Sequence, residues 1–193
     1  MLNRASFASV LALSTAVFMP PAVAQLNATF VGDQTGVCVS STTGFDANLA
    51  LKGPASIGSS MSAAVVSFYP DGTGVSMVRT LGIQHGATGP GATPATQSTA
   101  TCPFTYTVDA YGNVQSTFGT CSGLALSGPA AGQTSEISGT FSQYMLLEGG
   151  NKLVRVSTGP RVETFHNLVT GFTNQRICYR DGVFYLRNPA RPS

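Results

Sequence analysis

The chain has 193 residues, a formal net charge of +2 and only 9% charged residues, against about 25% in ordinary soluble domains. It holds 22 Gly, 11 Pro, four Cys and no Trp, a composition of polar, uncharged, turn-rich secreted β-proteins rather than helical ones. The basic excess is too small and too dispersed for a nucleic-acid binder: residues from Lys152 onward carry +5 and residues 25–151 carry −4, without clustering or aromatic interleaving.

The N-terminus has the order of a secretory signal. Arg4 is followed by an apolar run from Val10 to Met19, then Pro20-Pro21 and the small-x-small site Ala22-Val23-Ala24 before Gln25. The run is shorter than the roughly 20 residues a membrane helix needs. The expectation is cleavage near Ala24, leaving a secreted or periplasmic domain over 25–193 with no transmembrane segment. No cysteine stands at the cleavage site to take a lipid. Asn27-Ala28-Thr29 is a glycosylation sequon, relevant only in a eukaryotic secretory pathway.

Short β-type runs broken by turn signals follow. They cover Val37–Val39, Ala63–Phe68, Gly74–Leu81, Phe104–Val108, Val114–Phe118, Ser135–Met145, Lys152–Ser157, Val162–Leu168, Ile177–Arg180 and Val183–Leu186. Phe45 to Leu51 reads as either a helical turn or a short strand. Tyr69-Pro70-Asp71-Gly72, Asp109-Ala110-Tyr111-Gly112, Glu148-Gly149-Gly150-Asn151 and Arg180-Asp181-Gly182-Val183 read as turns. Gln84–Thr101 lacks any period and reads as a long loop. Its Gly86, Gly89 and Gly91 precede no helical pattern, which excludes a phosphate-cradling loop.

One hairpin can be placed in register. Phe104, Tyr106 and Val108 must share a face with Val114 and Phe118. A three-residue loop, Ala110–Gly112, achieves this by opposing Phe104 to Phe118 and Val108 to Val114. It leaves Cys102 opposite Thr120, one residue short of Cys121, a gap that a bulge at Gly119 would close. An exported chain oxidises its cysteines, so this hairpin favours Cys102–Cys121 and leaves Cys38–Cys178 as a bond between an early and a late strand. No Cys-x-x-Cys spacing suggests a metal or redox site.

The expected fold is all-β: a single antiparallel meander of about eight to ten strands, closed or nearly closed into a barrel, with a β-sandwich as the alternative. The meander, its Asp-Gly turns, aromatic-rich strands and linking disulfide broadly resemble small calycin-type barrels. The resemblance is one of architecture: the lipocalin Gly-x-Trp signature is missing, and no residue role is carried over.

Functional motifs are mostly absent. There is no Gly-x-Ser-x-Gly, His-Glu-x-x-His, Walker loop or Ser-x-x-Lys, and no metal or cofactor is implied. His85 borders the unpatterned segment. Alternation around Glu163-Thr164-Phe165-His166 offers two choices. Either Thr164 and His166 point inward, or Phe165 and Glu163 do; a tight turn near Gly159-Pro160 that opposes Val154 to Phe165 favours the second. An inward Glu163 requires a partner such as an arginine or ordered water, because a lone buried carboxylate is costly. Glu163, His166, Arg155 and Tyr106 are therefore the candidate ligand-binding residues. The leading expectation is a small exported barrel that binds a small apolar ligand, on the strength of Phe104, Tyr106, Phe118, Phe141 and Met145 on candidate inward faces. The alternatives are a structural or interaction protein of the cell envelope, and a cyclase- or isomerase-type barrel enzyme. The enzyme would need at least two of Glu163, His166, Arg155 and Arg79 in one pocket. The sequence names no protein partner.

Overall fold

A computed structural model describes residues 25–85, 95–157 and 159–187. The expected signal segment and the glycines of 86–94 lie outside the described residues. The rest is all-β, as expected. Eleven strands run β1 (Ala28–Ser41), β2 (Ser56–Phe68), β3 (Thr73–Gln84), β4 (Ala95–Val108), β5 (Asn113–Phe118), β6 (Cys121–Ala125), β7 (Thr134–Ser138), β8 (Phe141–Leu147), β9 (Lys152–Val156), β10 (Val162–Asn167) and β11 (Thr173–Leu186). All pairings are antiparallel. No helix of the described residues is long and apolar enough to cross a membrane.

Five strands, β1 to β4 and β11, are 12 to 14 residues long, about twice the usual length. Each of the two outer ones serves two different neighbours. On β4, residues 98–101 pair with β6 and residues 104–108 with β5. On β11, residues 173–177 pair with β10 and residues 182–185 with β9. Because β11 also pairs with β1, two eight-stranded rings close. One is completed by β5, β8 and β9, the other by β6, β7 and β10. The barrel therefore forks on one side while its other side stays continuous, and no long strand is left with an open edge.

Local chemistry explains both forks. On β4 the hairpin register is the expected one, Phe104 against Phe118 and Val108 against Val114. Gly119 and Thr120 then insert one extra position, so that Thr101 opposes Ser122. This closes the predicted one-residue gap, and Cys102 is bonded to Cys121. Pro103 sits in the fork, where its carbonyl accepts the Gly119 N–H at 2.9 Å and its missing N–H leaves no donor to satisfy. On β11 the unshared stretch is 178–181. There the Ser157 hydroxyl donates to the Arg180 carbonyl at 2.6 Å and accepts the Arg180 N–H at 3.1 Å, satisfying backbone groups that neither branch reaches. Cys178, at the start of this stretch, is bonded to its direct cross-strand neighbour Cys38. Each disulfide thus has one cysteine at a fork. Two disulfides fit an oxidising environment.

Several expectations need correction. Ser135–Met145 is two strands, because Gly139 at φ +79° turns the chain from β7 to β8. Arg180-Asp181-Gly182-Val183 is no turn but mid-strand β11. A Cβ on Gly182 would lie 2.7 Å from the Gln34 Cβ, so this glycine serves close packing rather than a reversal. The proposed β9–β10 hairpin does not form: both strands lie against β11, on opposite sides of its fork. Residues 95–101, read as loop, are the first half of β4. Phe45 and Leu51 form an isolated bridge around a turn. The turns at 69–72 and 109–112 hold, with Gly72 and Gly112 both at φ +82°.

Alternation sends the even positions of all five long strands inward. At the β5-β8-β9 end these are large. Phe68 stands at the centre, 1% exposed, edge-on to Phe30, Phe104, Tyr106 and Tyr144 at centroid distances of 5.0 to 6.4 Å. Val66, Val108, Val114, Leu153 and Phe184 complete a solid core.

Candidate functional site in the hollow half

The same strands, followed toward the β6-β7-β10 end, change character. Inward positions become Ser56, Gly58, Ser60 and Ser62 on β2, Thr80 and Gly82 on β3, and Thr96, Ser98 and Ala100 on β4. Side chains this small cannot meet across an eight-stranded ring. A cavity of about 460 Å³ remains, within the size range of small-molecule sites. Its wall mixes hydroxyl and amide groups, among them Ser135, Asn167 and Asn174, with apolar side chains such as Val78, Phe118 and Ile137. Ser62 and Thr80 share a hydrogen bond at 2.9 Å. The side-chain oxygen of Asn174 is buried with no partner.

Among the described residues, the only charged ones facing this cavity are Arg155, Arg176 and Arg180. Their one counter-charge is Glu163, 4% exposed, in the seam where β10 diverges from β8 and β9. Glu163 opposes Arg176 across the β10–β11 ladder and accepts its Nε–H at 2.9 Å. Arg180, two inward positions further along β11, grips both carboxylate oxygens, Nη1 on Oε1 and Nη2 on Oε2. Burial alone would raise the Glu163 pKa. The hydrogen bonds and charges of Arg180 and Arg176 overcome it and hold the carboxyl at about 2. A carboxylate pinned this way is a weak proton acceptor near neutral pH. Arg161 closes the outside of the seam, its guanidinium 4.1 Å from the Phe141 ring centroid.

Arg155 differs from the other two. It is 9% exposed and faces inward from β9 beside its cross-strand neighbour Tyr144. The row Gln34–Gly182–Arg155 runs across three strands. Because Gly182 has no side chain, the Arg155 Nη1–H reaches over it to the Gln34 Oε1 at 2.6 Å. Among the described residues that is its only side-chain partner, and no carboxylate lies within ion-pair distance. Burial pulls its pKa down; the positive Arg180 adds to this, while Tyr144 and Glu163 oppose it.

Of the sequence candidates, then, Arg155 faces the inner end of the cavity, and Glu163 lies beside it in the seam, both lining a small pocket between β8, β9 and β10. His166 does not: it points outward from β10, its Nδ1 2.8 Å from the Thr173 Oγ1. Tyr106 belongs to the solid half. Its hydroxyl accepts the Leu26 N–H at 2.8 Å and lies 2.9 Å and 2.7 Å from the Leu26 and Tyr69 carbonyls, tying the N-terminal segment and a turn to the core. Arg79 is on the outer face beside Gln97 at 3.4 Å, and His85 rests on the Ser59 hydroxyl at 3.0 Å, exposed. Phe104 fills the core, Phe118 borders the cavity, and Phe141 and Met145 do not point inward. Sequence reading missed Gln34, Asn174, Arg176 and Arg180; the even-position alternation of β1 and β11 is the signal that places them. Among the described residues no group of three or more His, Cys, Asp or Glu could hold a metal ion. No family model, curated protein or solved structure matches the chain.

Proposed function

We propose that this is an exported binding protein that holds a small, hydroxyl-rich molecule in the hollow half of its barrel. The observation that carries the reading is the wall of the cavity of about 460 Å³. Ser, Thr, Gln and Asn side chains, with an unpartnered Asn174 oxygen, are set there among apolar ones such as Val78, Phe118 and Ile137. That mixture suits the hydroxyls and the C–H faces of one small molecule. Buried polar groups left unpaired are costly, and a ligand that pairs them gains specificity from that cost. Of the aromatic side chains that first suggested an apolar ligand, Phe104 and Tyr106 fill the opposite half and Phe118 alone borders the cavity. The preference therefore moves from a wholly apolar ligand to one that also carries hydroxyls. Isothermal titration against monosaccharides and disaccharides on one side and long-chain fatty acids on the other tests this. Saturable binding of a sugar and none of the fatty acids is expected; the reverse order would sink the reading.

The interaction-protein reading keeps one supporting observation. Val37, Ile57, Met61, Leu81, Ile83 and Tyr179 form an exposed apolar patch on the outer face of four adjacent strands. If that patch pairs two copies, sedimentation analysis finds a dimer that Met61→Glu dissociates; a monomer at all concentrations removes that pairing.

A further inference from the structure

We infer that Arg155 anchors an oxyanion subsite at the inner end of the cavity, so that the molecule bound there is acidic as well as hydroxylated. The inference rests on the binding reading above and adds the charge of the ligand.

Three observations carry it. The first is an imbalance. Among the described residues three arginines face the cavity, and Glu163, in the seam beside it, is the single carboxylate paired with any of them, leaving an excess of two positive charges at a largely buried site. Fully buried charges are normally paired, because desolvating a lone one is expensive. The second is which arginines are left over. Arg180 spends both terminal nitrogens on Glu163, whereas Arg176 uses only its Nε. Arg155 offers five N–H donors, and only one has a side-chain acceptor, the neutral Gln34. The planar fork of a guanidinium matches carboxylate, phosphate and sulfate groups two bonds at a time. The third is preorganisation. Gln34, the close approach at Gly182 and the strand pairing of β9 with β8 and β11 hold Arg155 in place, which reduces the ordering cost of binding. Ser142, which lines a small pocket with Arg155, and Ser116, directly opposed to Ser142 across β5 and β8, are 3% and 0% exposed, and their hydroxyls have no hydrogen-bond partner among the described residues. The interior around Arg155 therefore holds unused donors of two kinds.

Carboxylate and phosphate share this chemistry, and the experiment separates them. Protein labelled with ¹⁵N-arginine is titrated with glucuronate, glucose 6-phosphate and neutral glucose at constant ionic strength. The expected result is that one acid binds at least about tenfold tighter than glucose, as one charge-assisted contact supplies. That acid should shift the Arg155 Nε–H resonance, and the tighter of the two names the anion. In Arg155→Gln the acid and glucose should bind within about twofold of each other, and Arg155→Lys, charged but without the fork, should fall between. The wild-type titration stands even if a variant does not fold. Equal binding of all three with an unmoved Arg155 resonance overturns the oxyanion subsite while leaving the binding reading intact. No saturable response to any of the three overturns both.

Discussion

Along β2 the inward side chains run Ser56, Gly58, Ser60, Ser62, Ala64, Val66, Phe68, and along β4 they run Thr96, Ser98, Ala100, Cys102, Phe104, Tyr106, Val108. Each series starts small and polar in one half of the barrel and ends large and apolar in the other. The two halves share five strands and their hydrogen-bonded ladders, so backbone pairing is not what distinguishes them. What differs is side-chain volume and polarity at inward positions. In the β5-β8-β9 half those side chains meet and exclude water, and burial of aromatic surface stabilises the fold. In the β6-β7-β10 half they leave space. One end of the barrel supplies stability, and the other gives part of it up for a cavity.

The sharpest way to break this contrast is Phe68→Ala. Phe68 touches four other aromatic rings, and its removal should cost about 4 kcal/mol in urea unfolding. The matching change in the other half, Ser60→Ala, should stay within about 0.5 kcal/mol, since Ser60 borders the cavity and has no side-chain hydrogen bond. Equal costs would mean that the hollow half is packed in solution.

Next in size is Glu163, which joins the halves at the seam. Its folded pKa of about 2 lies below the ordinary 4.5, so its contribution is present above pH 4.5 and is lost as the pH falls toward 2. The full contribution is about 3 kcal/mol. Acid titration of the wild type should show that loss. Glu163→Gln should be less stable by a similar amount at pH 7, because it strands Arg176 and Arg180, and its stability should depend less on pH between 4.5 and 2. An unchanged acid profile in the variant would remove Glu163 from this role.

The smallest effect has the opposite sign. Arg155→Met deletes a buried charge that no carboxylate balances, and the ligand-free protein should gain about 1–2 kcal/mol, as replacing buried charges with apolar groups often does. A loss of that size would show that Arg155 supports the fold rather than a ligand.

Much of the solid half was legible in the sequence, because its inward residues carry the alternation that marks a half-buried strand. Phe104–Phe118 in register and the Cys102–Cys121 bond follow from that pattern. The inward Glu163 rests in the sequence on a β9–β10 hairpin that does not form, and its partners Arg176 and Arg180 go unidentified there. The hollow half was not legible in the same way. Where the inward face of a strand carries only Ser, Thr, Gly or Ala, as at 56–62 and 95–101, and apolar residues such as Ile57 and Met61 point outward, hydrophobic periodicity no longer marks a buried face and strand looks like loop. The fork misled more specifically. Chain neighbours β9 and β10 should have paired, but the length of β11 accepts both. Asp181-Gly182, a strong turn signal, is there because Gln34 and Arg155 must meet across a residue with no side chain.

The most direct test of the central claim is native mass spectrometry of the protein purified from its own compartment, before and after denaturing extraction, for wild type and Arg155→Gln. The account predicts a discrete mass excess on the wild type, released by extraction as a hydroxylated acid and lost or reduced in the variant. A wild type carrying a lipid, or an adduct retained equally by Arg155→Gln, would contradict it.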